Sequence, residues 1–215
     1  MTGGRDTACR RQLGRGLVRR SFKLGQNPLD MTIRDIVLIA LFAAIIVAFG
    51  LVPVIPVAGL PVPITLQNLA VMLAGAILGP RRGAAATALV MLLVAIGLPV
   101  LSGGRGGLGM LLGPSGGFLF GFIAGAFVIG WLAARFARVR GPAWKENGLS
   151  ILACIAGGIG VCYAMGIPWL ALATGLPLEK AALGALVFLP GDLAKAVVAG
   201  LVARGVRRVY PIPLK

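Results

Sequence analysis

The chain contains no histidine. That absence removes the side chain most used for acid–base catalysis near neutral pH, a common haem ligand and the commonest metal ligand, and so favours binding over catalysis. Acidic residues are almost as scarce: Asp and Glu number 6 against 21 Lys and Arg, for a formal net charge of +15. Charged residues are only 13% of the chain, about half the share usual in a soluble globular domain. The three cysteines, Cys9, Cys154 and Cys162, form neither a CxxC pair nor an even-numbered framework. Two of them lie in an apolar segment, where cysteine packs as a small hydrophobe. No metal site is expected. No Gly-x-x-x-x-Gly-Lys-Ser/Thr stretch occurs, so no nucleotide cofactor is expected, and if the chain's work is powered, the power comes from elsewhere. Residues 1–30 lack the apolar core of a cleavable secretion signal.

What is present is apolar. Hydrophobic residues make up 58% of the chain besides its 33 glycines, and the mean hydropathy is +0.95. A membrane helix needs about 20 mostly apolar residues, and segments near that length fall at 33–50, 65–79, 83–100, 116–134, 150–169 and 182–203. The reading is an all-α membrane protein with six transmembrane helices. Between the first two segments, the proline-rich run from Val52 to Pro63 cannot continue as a regular helix and reads as an ordered loop or re-entrant cap. The cations give the orientation, because cytoplasmic loops retain Lys and Arg. An even number of spans puts both termini on one side, and 18 of the 21 cations fall on that side, which makes both termini cytoplasmic. This asymmetry accounts for nearly all of the excess charge and argues against nucleic acid as a partner. Three regions follow: a basic cytoplasmic tail over 1–30, read as disordered or as lying upstream of a true start at Met31; a six-helix transmembrane domain over 31–208; and a short cytoplasmic tail over 209–215.

Topology leaves Arg105, Lys180 and Lys195 unexplained. An ionised side chain at the bilayer centre costs about 2.5–3.5 kcal/mol on insertion scales, so Asp192 and Lys195 need a reason to be in the sixth segment. At i and i+3 on a helix they share a face and can neutralise one another. Pro190-Gly191 should break or kink that segment and leave Asp192 near the start of a fresh helix, where free backbone N–H groups can also meet a ligand. The alternative is a purely structural ion pair. Arg105 lies in a glycine-rich loop, Leu101 to Gly109, as a planar donor suited to a carboxylate or, alternatively, as an interfacial anchor. The formal GxGxxG match over Gly104–Gly109 follows no strand and is not a dinucleotide site. Gln67 and Asn68 place amides under the proline-rich loop, suited equally to a polar ligand and to interhelical hydrogen bonding. Tyr163 and Trp169 are read as interfacial aromatics that can also wall a pocket. Ala40, Ala44 and Ala48 form a stripe on which another helix can pack, from this chain or from another.

Several of these motifs occur in a familiar order: Pro63-Ile64-Thr65-Leu66-Gln67, Leu78-Gly79-Pro80-Arg81-Arg82-Gly83, Gly97-Leu98-Pro99-Val100 with the Gly103–Gly109 loop, Gly113-Pro114-Ser115-Gly116-Gly117, and Pro190-Gly191-Asp192-x-x-Lys195. Over approximately residues 31–208 the chain resembles the BioY family, the biotin-specific S-components of energy-coupling factor (ECF) transporters. The basic stretch before Met31 is outside the usual pattern, and Asn68 stands where the family more often has threonine. The resemblance implies an S-component-like bundle in a prokaryotic cytoplasmic membrane, with a vitamin pocket near the outer surface. It implies that Ala40 and Ala44 face a transmembrane coupling (T) subunit driven by two ABC-type ATPases, although members that work without these partners also exist. It implies biotin as the transported ligand, with no separate cofactor and no enzymatic activity. On this reading Asp192 accepts a ureido N–H, Lys195 donates to the ureido carbonyl, and Arg105 with Gln67 holds the carboxylate end. The competing readings are an S-component for another small vitamin or precursor, a membrane enzyme using Asp192 as a base, and an assembly subunit acting through the alanine stripe.

Overall fold

A computed structural model describes residues 31–56, 61–139, 141–210 and 214, and falls into two compact units, Met1–Ile36 and Val37–Lys215. The expected tail over 1–30 and most of the one over 209–215 lie outside the described residues. In the first unit, Thr32 and Asp35 build a reciprocal cap: the Asp35 amide donates to Thr32 Oγ1 (3.3 Å) and the Thr32 amide donates to Asp35 Oδ2 (3.1 Å). This arrangement satisfies two orphan donors at a helix start. Helix α1 (Ile33–Gly50) begins there.

The regular elements that follow are helical: α2 (Gln67–Leu78), α3 (Pro80–Ala95), α4 (Leu108–Leu112), α5 (Gly116–Phe136), α6 (Ala143–Ile155), a π-helical turn (Ala156–Val161), α7 (Cys162–Thr174), α8 (Leu178–Ala185), a 3₁₀ turn (Leu186–Phe188) and α9 (Leu189–Val209). Among the described residues four stretches are long and apolar enough to cross a membrane: Ile33–Gly50, Gly116–Phe136, Ala143–Thr174 and Leu178–Val209. These coincide with or contain the expected first, fourth, fifth and sixth segments.

The second and third expected segments are shorter helices. The segment expected over 83–100 stops at Ala95. Pro99 supplies no backbone donor and disfavours helical geometry at Leu98, and the Val94 carbonyl at the helix end accepts both the Gly97 amide (3.0 Å) and the Gly107 amide (2.8 Å). The sixth segment is interrupted upstream of the expected break, by the 3₁₀ turn at Leu186–Phe188. Pro190 lies in the first turn of α9, where its missing donor costs nothing, and Asp192 is in that same turn as expected. The two arms of the proline-rich loop pair through one antiparallel bridge, with Ile55 and Ile64 exchanging amide and carbonyl at 3.1 and 2.9 Å.

Helices α2 and α5 lie at the centre of the second unit. From Ala70 to Leu78 α2 is buried at almost every position, and α5 packs against α2, α3, α6, α7 and the π turn. On α1, Phe42, Ala43 and Ile46 turn inward, whereas Ala40, Ala44 and Ala48 are exposed. Helix α9 exposes Val197, Val198, Leu201 and Val202. Such a face would be an association liability in water and is the expected outer surface in lipid.

The π turn packs against α5 at very short range. A Cβ on Gly157 would lie 2.6 Å from the Gly125 carbonyl oxygen and 2.5 Å from Ile129 Cγ1, so only glycine permits this approach. Gly157→Ala should therefore cost about 1–3 kcal/mol by overpacking, read as a lower melting temperature of the detergent-solubilised protein. Gly160→Ala, whose Cβ would meet its nearest neighbour at 3.9 Å, should leave the melting temperature essentially unchanged.

Candidate ligand-binding site

Three helix starts converge on one cavity, those of α2, α5 and α9. The starts of α2 and α5 bring the positive ends of their helix dipoles, which favour a ligand with negative or strongly accepting groups, whereas α9 continues from the 3₁₀ turn, where the Leu186 carbonyl accepts the Leu189 amide. The cavity measures about 80 Å³. Its apolar wall is made by Val62, Ile64, Leu101, Met110, Phe118, Leu119, Phe122 and Phe188. A few polar side chains point into this lining, the usual composition of a small-molecule site.

The buried ion pair is at the α9 end. Lys195 Nζ lies 2.9 Å from Asp192 Oδ1, one turn away on the same face, and also donates to the Thr65 carbonyl (2.7 Å) in the segment that leads into α2. The other carboxylate oxygen, Oδ2, accepts the Tyr163 hydroxyl of α7 (2.9 Å). Asp192 is only 6% exposed, yet each oxygen already has a charged or polar donor. A carboxylate has about four lone-pair sites and an ammonium three protons, so this pair keeps one donor and further acceptor capacity for a ligand.

Across the cavity, the glycine-rich loop is held by side chains from α2. Gln67 Nε2 donates to the Val100 carbonyl (3.2 Å), and Gln67 Oε1 accepts the Ser102 hydroxyl (3.3 Å). Gln67 is 2% exposed, and both ends of its amide serve the loop. Ser102 in turn gives its carbonyl to Arg105 Nε (2.9 Å), and Leu101 and Arg105 close a bridge. Gly106 lets the loop return against α3's exit: a Cβ there would lie 2.1 Å from the Leu98 carbonyl oxygen. Arg105 is thus fixed through Nε, and among the described residues no carboxylate pairs with its two terminal nitrogens. Trp169 Nε1 anchors the far end of the same connection on the Gly113 carbonyl (2.9 Å).

All four expected ligand-binding residues, Gln67, Arg105, Asp192 and Lys195, therefore line one cavity, although they come from three separate regions of the chain. Asn68 joins them, and its buried Oδ1 has no hydrogen-bond partner. Ser102 escaped the sequence reading because a lone serine in a glycine loop carries no signal. Tyr163 was read first as an interfacial aromatic, and the bond to Asp192 depends on the helical phase set by the π turn before it. Ala40 and Ala44 lie away from the cavity on the exposed face of α1.

The BioY family model matches residues 22–212. The chain is 54% identical over 182 residues to the biotin transporter BioY of Rhizobium etli, covering 85% of this chain and 97% of that protein. It is 50% identical over 190 residues to the biotin transporter BioY of Rhodobacter capsulatus, with 84% and 97% covered. Among solved structures it matches a 2.1 Å crystal structure of the S-component for biotin from an ECF-type ABC transporter, with a TM-score of 0.77, 33% identity, and 83% of this chain and 95% of the other covered. With the family model spanning most of the sequence and these relatives matched nearly end to end, the chain belongs to the BioY family.

Proposed function

We propose that this chain captures biotin and carries it across a prokaryotic cytoplasmic membrane as the substrate-specific subunit of an ECF-type transporter. The observation that carries the reading is the cavity in which the Asp192–Lys195 pair faces the Arg105 loop. Biotin has a ureido ring with two N–H donors and one carbonyl, an apolar bicycle and a carboxylate on a flexible chain. Asp192 accepts one ureido N–H, the free acceptor of Asn68 is available to the other, and Lys195 donates to the ureido carbonyl. Phe118 and Phe122 enclose the bicycle, and the terminal nitrogens of Arg105 hold the carboxylate. Gln67 contributes chiefly by fixing the loop that carries Arg105. At about 80 Å³ the cavity is small beside the ~300–1,000 Å³ usual for small-molecule sites, so occupancy goes with outward displacement of that loop.

The membrane arrangement follows the same reading. Six crossings are made by α1, α2, α3, α5, the α6–α7 stretch and the α8–α9 stretch, with both termini in the cytoplasm and the cavity toward the outside. The 12 residues of α2 rise only about 18 Å, which suffices because this helix is sheathed by protein. The region over 31–208 is the transport domain, and the stretches over 1–30 and 209–215 are cytoplasmic tails. The exposed Ala40, Ala44 and Ala48 offer a flat strip to the helix of a transmembrane coupling subunit, itself powered by two ABC-type ATPases.

Titration calorimetry of the detergent-purified protein with biotin should give stoichiometric binding, weakened about tenfold or more by Asp192→Asn through loss of a charged hydrogen bond. Folded wild-type protein that takes up no biotin would overturn the assignment. Arg105→Ala should weaken biotin by about tenfold or more while barely affecting biotin amide, whose uncharged end gains little from a guanidinium. Equal losses for both ligands would remove Arg105 from the carboxylate.

A further inference from the structure

A second cavity, of about 870 Å³, opens where the ends of α5 and α9 meet the start of α6. Measured along α9, Arg207 is about 22 Å from Asp192, so the two cavities occupy opposite ends of that helix. The second is strongly basic. Arg138, Arg204, Arg207 and Arg208 line it, with Glu146 as the single carboxylate in the lining.

Arg204 is structural. Its Nη2 donates to Glu146 Oε2 (2.7 Å), and its Nη1 bonds to the Ala143 carbonyl (2.7 Å) and to Asn147 Oδ1, stitching α9 to the first turns of α6. Glu146 is thereby committed. Three guanidinium groups remain, and among the described residues none of them has a carboxylate partner.

Two buried polar atoms in this lining have no hydrogen-bond partner: Ser150 Oγ, on a residue only 4% exposed, and Arg207 Nη1. Both can donate. Leaving buried donors unpaired is costly, more so for a charged group. What this corner lacks is therefore an acceptor with several oxygens and negative charge. Guanidinium groups beside a hydroxyl match the oxygens of a phosphate better than those of a single carbonyl.

The surroundings distinguish a lipid from a dissolved anion. The same cavity has Phe136 and Leu149 in its wall, and α9 carries exposed Leu201, Val202 and Val206 on the turns leading to it and Val209 and Tyr210 beyond. Acyl chains lie against apolar helix faces of this kind, with the headgroup at the basic end. We infer that this cavity binds the phosphate of an anionic membrane lipid, with Arg207 and Ser150 as the inner donors and Arg138 and Arg208 at the rim.

The test uses the full chain in detergent, with short-chain phosphatidylglycerol, short-chain phosphatidylcholine and inorganic phosphate as probes, and follows thermal stabilisation and lipid retention in native mass spectrometry. Phosphatidylglycerol should stabilise the protein and be retained about tenfold more tightly than phosphatidylcholine. Arg207→Gln should lower that retention about tenfold, and Ser150→Ala severalfold, with helix content and elution volume unchanged. If Arg207→Gln does not fold, the double variant Arg138→Gln, Arg208→Gln at the rim should lower retention and flatten its salt dependence. Equal retention of the two lipids overturns the proposal, as does unchanged retention in the folded variants. Full displacement of the lipid by millimolar inorganic phosphate would assign the cavity to a dissolved oxyanion instead.

Discussion

The ion pair between Asp192 and Lys195 is the constraint around which the ligand-binding end of the molecule is arranged. Two charges in an apolar helix are tolerated only if every strong donor and acceptor finds a partner. Tyr163 and the Thr65 carbonyl supply most of that set, and in doing so tie α9 to α7 and to the segment entering α2. Removing one partner of such a buried pair costs about 3–5 kcal/mol, a sizeable share of the ~5–15 kcal/mol that separates folded from unfolded domains. The charges that line the cavity thus also hold together the helices that form it. Polar capacity left over after these internal bonds, rather than the charges as such, is what faces the cavity.

The opposite wall works by a different principle. A loop rich in glycine has little side-chain bulk with which to hold its shape, and it is held from outside instead: Gln67 grips the Val100 carbonyl and Ser102, Ser102 grips Arg105, and Trp169 grips Gly113. One wall is thus set by charges within the helices and the other by side chains that fasten a loop from outside.

Much of this was legible in the sequence wherever the information is local. Intramembrane charges three residues apart on one helix identify themselves, because their cost demands a reason. Arg105 stood out because no topological rule needed a cation there. The alanine stripe on α1 follows from helical spacing, and the structure adds that it faces outward. Non-local bonds were not legible. The amide of Gln67 was read as facing the ligand's carboxylate end, and its bonds to Val100 and Ser102, more than thirty positions away, left no trace in the sequence. The premature end of α3 was readable at Pro99, but averaging hydropathy over the segment hid it. The phase of Tyr163 was not readable at all, since no composition rule announces a π turn in a run of alanine, glycine, isoleucine and valine.

That π turn also constrains how the sequence can change in length. Between Ala143 and Thr174 the chain runs as continuous helix with a widened turn in the middle. Each residue of an α-helix advances the chain by about 100° around the axis. Straightening that turn into regular α-helix without changing the number of residues would rotate everything beyond it by roughly that angle, carrying Tyr163 off Asp192 and Trp169 off Gly113 together. Substitutions on the lipid-facing side of this stretch are individually cheap, whereas a further inserted residue, with the widened turn already in use, is not. The helical phase of Tyr163 and Trp169, and the glycine at 157 that lets the turn pack on α5, are what this stretch has to preserve.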